Sequence, residues 1–187
     1  MTIPLFFWLI FQLIAIALAA SRIELWANYP RPAESVALHV LICAQMFFAA
    51  LLSPLLFSHW KSALSVITSS IVFVLLAGFL SFQSLPVIAL TSLYLTIWLL
   101  ALGLCSARVK SNAVLTIVTI LGILLWYLRS EFVGAIDYRT FAPFNPILGI
   151  FSQIEAERFL GQMWILPLGI ACFGAALLRF KHTPLLK

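Results

Sequence analysis

The sequence predicts an all-α, polytopic integral membrane protein, and three observations predict it. Hydrophobic residues fill 64% of the 187 positions and charged residues only 9%, against about 45–50% and about 25% in a soluble domain. The mean hydropathy is +1.13, which means more apolar surface than so short a chain can bury in a core of its own. The apolar residues also come in continuous runs rather than in alternation, which argues for helices and against a closed barrel.

A helix crosses the hydrocarbon core with about 20 mostly apolar residues, about 17 to 25 being the range. Six segments meet or approach that length: Ile3–Ala20, Val36–Phe57, Ala63–Leu80, Pro86–Ser106, Ala113–Leu128 and Phe159–Leu178. The first ends in "ALAAS", which looks like a signal-peptidase site. No Lys or Arg precedes it, however, and its apolar run exceeds the usual signal core of about 7–15 residues, so it reads as a span. In the loop that follows, Trp26 and Tyr29 are interfacial anchors, and Pro30 and Pro32 hold the chain extended before the second span.

The charges sort by side. Counting the gaps alternately from the N-terminus, one set holds Lys61, Arg108, Lys110, Arg179, Lys181 and Lys187 with no acid. The other set holds Arg22, Arg31, Arg129, Arg139 and Arg158 together with Glu24, Glu34, Glu131, Asp137, Glu155 and Glu157. Short loops rich in Lys and Arg stay cytoplasmic, so both termini are expected inside. Arg108 and Lys110 then belong to a tight cytoplasmic turn, with Ser111 or Asn112 capping the next helix. A charge left in mid-bilayer would instead cost several kcal/mol or more.

The outer segment, residues 129–158, is neither a span nor a plain linker. Phe132, Tyr138, Phe141, Phe144 and Phe151 stand there among charges of both signs. Asn145–Pro146 forms a helix start, with Asn as N-cap and Pro at the first helical position. Ile147, Ile150, Phe151 and Ile154 then share a face while Ser152, Gln153 and Glu155 point elsewhere. The pattern predicts an amphipathic helix of about four turns in or dipping into the outer interface, ended by Gly161. It serves either as a lid or re-entrant hairpin, with Asn145, Pro146, Phe151, Glu155 and Arg158 as its candidate residues, or merely as a seal.

Chemistry is sparse. No HExxH, GxSxG or Walker loop is present, so nucleotide hydrolysis by this chain is not expected, and neither an enzyme activity nor a cofactor or metal site is assigned. Cys43, Cys105 and Cys172 are scattered in apolar runs without metal-ligand spacing. His39 opens the second span, where it is either a ligand or proton relay or a hydrogen-bonded packing residue. Polar residues within the spans are neutral, among them Gln12, Gln45, Ser69, Ser70, Thr91, Tyr94 and Thr96. Such groups let membrane helices approach and hydrogen-bond, and secondarily could line a path for an apolar or amphipathic substrate. The basic balance, with a pI near 9.5, comes without any nucleic-acid-binding module.

The stretch "LPVIALTSLYLTIWLLALGLCSARVKSNAVLTIVTILGILL" resembles the fourth and fifth spans of permease subunits of ABC transporters of the second exporter type. The likeness rests on Leu102, Gly103 and Leu104 with Ser106 just beyond, the basic turn, and Ala113 opening the next helix. It continues through Asn145–Pro146 and a last span leading to the basic tail "RFKHTPLLK", and covers roughly residues 86–187. The resemblance implies a six-span subunit, a homo- or heterodimer in a bacterial cytoplasmic membrane, powered by a separate cytoplasmic ATPase. The first half departs from the family: no amphipathic N-terminal helix precedes the first span. In place of a coupling helix between spans two and three stands only "SHWKS", Ser58 to Ser62. His59, Trp60 and Lys61, with Arg108 and Lys110, are the candidate partner contacts. Loss of the coupling segment also fits a non-catalytic accessory subunit of a larger membrane complex. A third reading, a six-span substrate-binding component of a vitamin importer, lacks a dense polar pocket signature.

Overall fold

The computed structural model of the chain describes residues 3–21, 36–106, 112–131, 142–156 and 160–172. Among the described residues there is no strand, only helix and short turns. The long elements are α1 (Ile3–Ser21), α2 (Val36–Leu56), α3 (Trp60–Leu80), α4 (Leu85–Ser106) and α5 (Asn112–Glu131). A 3-10 turn, Ala142–Phe144, leads to the shorter α6 (Pro146–Ala156). The last described helix, α7 (Gly161–Cys172), opens with a further 3-10 turn at Gly161–Trp164. The first five helices begin and end within a turn of the segments read from hydropathy.

Ala37–Leu56, Trp60–Leu80 and Leu85–Leu104 are long and apolar enough to cross a membrane, which makes the chain an integral membrane protein. Six helices of spanning length were expected; among the described residues three are found. Ile3–Ala19, Thr116–Leu125 and Gly161–Cys172 are apolar helices at the remaining positions, but shorter as described. The turn holding Arg108 and Lys110, the loop with Trp26 and Tyr29, and the basic tail lie outside the described residues.

Helix α2 is the hub, touching α1, α3, α4, α5 and α6. Leu38, Leu41, Ile42, Met46 and Ala49 recur at helical spacing and are fully buried, while Leu51 and Leu55 near its end are exposed. Helix α3 is peripheral. Its Leu64, Val72, Leu76 and Phe79 are exposed, as are Phe7, Leu13 and Leu18 on α1 and Leu121 and Leu124 on α5. An apolar exterior of this extent is stable against lipid tails, not water.

Inside, α1, α2 and α3 are joined by a polar seam near mid-helix. The Gln45 amide donates to Gln12 Oε1 and to the Ser70 carbonyl at 3.3 Å. Gln12 Nε2 donates to the Trp8 carbonyl at 3.4 Å, and the Trp8 indole N–H to Ser69 Oγ at 3.0 Å. Phe11 stacks on Phe48 at 3.8 Å between ring centroids. At one end of the bundle the Leu38 N–H, which lacks a helical acceptor in the first turn, donates to Ser81 Oγ at 3.2 Å. This brings the start of α2 to the hairpin between α3 and α4.

Candidate functional site

The distinctive feature is where α6 sits. The sequence suggested an amphipathic helix in or dipping into the outer interface, as a lid, a re-entrant hairpin or a seal. In the structure α6 packs against α4, α5 and α2. Ile147, Leu148, Ile150 and Phe151 are fully buried, and Ser152, expected to face elsewhere, is buried as well. The described residues of α6, Pro146–Ala156, make about three turns. Gly161, expected to end the helix, instead opens the 3-10 turn of α7. Three helices enclose α6 at its described side chains, while the side chains of Gln153 and Glu155 lie outside those described.

Asn145 sets the helix in place. Its Oδ1 accepts from the Ile147 N–H at 3.0 Å and the Leu148 N–H at 3.2 Å, an N-cap of the expected kind. The Gly149 N–H donates to the Asn145 carbonyl at 2.9 Å, and Pro146 has no N–H to satisfy. The free donors of the first turn are therefore spent within the chain, so this N-terminus offers no open anion site of the kind exposed helix starts provide. The other end of the same amide crosses to α5: Asn145 Nδ2 donates to the Val118 carbonyl at 2.8 Å. It fits there because Gly122 has no side chain; a Cβ at that position would overlap the Asn145 amide.

A second glycine docks the helix on α4. Gly149 leaves room for the Tyr94 hydroxyl, which a Cβ would strike along with the Ala142 carbonyl. Tyr94 donates to the Met163 carbonyl at 3.0 Å, and its ring meets Trp164 edge-on at 5.0 Å, tying α4 to the start of α7. Two residues along α6, Phe151 packs on His39 of α2, with ring centroids 4.4 Å apart. His39, read from sequence as either a ligand or a packing residue, thus lies buried against an aromatic ring. From these contacts the direction of α6 follows. Its N-terminus lies midway along α5, about 14 Å short of the Glu131 end at 1.5 Å per residue, and it climbs toward the start of α2.

The candidate lid residues Asn145, Pro146 and Phe151 are thus brought together on one buried helix. Glu155 belongs to the same helix, but its side chain and all of Arg158 lie outside the described residues. The candidate partner contacts are separate. His59 precedes α3 in extended backbone with no side-chain cap; Trp60 is 72% exposed, and Lys61 is exposed beside it. Arg108 and Lys110 are not described. Gly122 and Gly149 escaped sequence reasoning, although a lone glycine within a helical pattern, as in "ILGIF", is a signal of close packing; Tyr94 was read only as one of the neutral hydrogen-bonding residues within the spans.

Among the described side chains around α6 there is no carboxylate, lysine or arginine, and among the described residues no cluster of His, Cys, Asp or Glu could hold a metal ion. The chemistry is one of shape and neutral hydrogen bonds. Beside the site, an apolar groove of about 590 Å³ runs between Pro143 and Phe144 on one wall and Gln162, Ile165, Leu166 and Ile170 on the other. Comparison with protein-family models, with curated proteins and with solved structures finds no match for this chain.

Proposed function

We propose that the chain is a membrane-embedded, permease-like subunit of an ABC-type export complex, powered by a separate ATPase. The observation that carries this reading is α6, a helix that starts midway along α5 beside an apolar groove. In a six-span layout with both termini cytoplasmic, such a helix is re-entrant from the outer side. The apolar groove beside it suits an apolar or amphipathic cargo. Trp60 and Lys61, exposed at the α2–α3 turn, are the contact offered to an ATPase on the cytoplasmic side.

One observation favours a second reading, a non-catalytic accessory subunit of a larger membrane complex. The connection between α2 and α3 is a turn of residues 57–59, a small platform for a motor protein. Affinity purification of the full chain from its native membrane separates the two. The permease reading expects a stoichiometric ATPase that is lost in the Trp60→Ala/Lys61→Ala double variant. Recovery of other membrane subunits without any ATPase refutes it and leaves the accessory role.

A further inference from the structure

The hairpin between α3 and α4 turns its chemistry inside out. Ser81 is buried, its hydroxyl occupied by the Leu38 N–H, and Gln83 is half-buried. Outside stand Phe79, Leu80, Phe82 and Leu85, with Ser84 the one polar side chain left among them. Phe82 is 81% exposed, more than any other large apolar residue described.

The backbone makes that exposure deliberate. Helix α3 ends in a pair of crossed bonds: the Gln83 N–H donates to the Gly78 carbonyl at 3.0 Å and the Phe82 N–H to the Phe79 carbonyl at 3.1 Å. This Schellman arrangement places Phe82 at the position after the C-cap, in left-handed conformation with φ 50°. Glycine suits that position, because a Cβ there crowds the carbonyl. An aromatic residue in it carries a conformational cost, and so exposed a ring gains little from packing within the bundle.

We propose that Phe82 anchors the α3–α4 hairpin in bilayer lipid, so that the tip lies among acyl chains and headgroups rather than in water. Two observations name lipid as the occupant. The exposed apolar faces of α3 (Leu75, Leu76, Phe79) and α4 (Leu85, Leu93) run without interruption into the tip, and both helices are of spanning length. The sequence also carries no charged residue from Ser62 through Ala107, so nothing at the tip demands bulk water. Gly78 stiffens the base of the hairpin by admitting Ile88, which a Cβ would overlap; the tip therefore sits where the helices put it. The proposal is independent of the permease reading.

A nitroxide at residue 82, on a full-length chain with its cysteines replaced by serine, tests it in vesicles of phosphatidylcholine and phosphatidylglycerol. Collision with oxygen should dominate over collision with a water-soluble nickel chelate, as for a label at Phe79 and in contrast to one at Lys61. A label at 82 that behaves like the one at Lys61 overturns the proposal; one shielded from both reagents shows that protein covers the tip and overturns it equally. A second variant removes the anchor without straining the turn. Phe82→Gly should keep the helical content and thermal midpoint, since glycine fits the left-handed position. It should also shift the lipid–water partition of a label at Ser84 toward water by about tenfold or more, the lower bound expected from losing one aromatic side chain's apolar burial. An unchanged partition at Ser84 refutes anchoring.

Discussion

The two halves of this bundle are held together by different means. In the first, α1, α2 and α3 are long helices joined by a seam in which the contacts overlap. Gln45 donates to both Gln12 and the Ser70 carbonyl, and Trp8 reaches Ser69 separately. In the second, a short helix is set among α2, α4 and α5 by a single asparagine and two glycine notches. Asn145 alone makes two capping bonds and the cross-link to α5. The seam is redundant, so it tolerates the loss of one partner. The α6 seat depends on shape, and one added methyl group is enough to disturb it.

The largest effect is expected from Asn145→Ala. It strips the cap from two buried N–H groups and opens a void beside Gly122, costing about 2–4 kcal/mol. Denaturant titration of the purified chain in mild detergent measures it; a loss below that of a seam substitution would break the contrast between the halves. Next comes Gly122→Ala, expected to cost about 1–3 kcal/mol through overpacking against the asparagine amide. The double variant sharpens the point, because removing the amide makes room for the new methyl. Its destabilisation should fall short of the sum of the singles by a coupling of about 0.5–3 kcal/mol, whereas strict additivity would mean the two residues do not share one space. The smallest effect belongs to the seam. Gln45→Leu should cost about 0.6 kcal/mol, the average for interhelical hydrogen bonds in membranes, and Gln12→Leu/Gln45→Leu should return close to the parent, since removing both partners leaves no orphaned amide. A double variant worse than either single would show that the seam, too, depends on shape.

Much of this molecule was legible before any coordinates. The long helices follow from apolar runs of the right length, and Asn145–Pro146 announced the start of α6 because an amide acceptor followed by an N–H-free residue solves the problem every helix start poses. The placement of α6 was not legible. Ser152 lies on what a helical wheel assigns to the polar side, and it is buried because α4, α5 and α2 enclose the helix together. Likewise Gln12 and Gln45 read separately as polar interruptions, and only their meeting explains why each is tolerated in an apolar helix. Phe82 gave no local sign of its left-handed backbone, since a phenylalanine in that state is read from φ rather than from composition.

What the sequence by itself determined is the solvent and the rods: an apolar, charge-poor chain must sit in lipid, and in lipid its backbone must close its own hydrogen bonds as helix. Hydropathy is a one-dimensional property, so it could set where helices begin and end. Which rods touch, which glycine receives which amide, and how deep the short helix goes were decided only in three dimensions. Those outcomes depend on complementary shapes contributed by residues far apart in the chain, such as Asn145 with Gly122 and Tyr94 with Gly149, and no local pattern encodes a partner's shape.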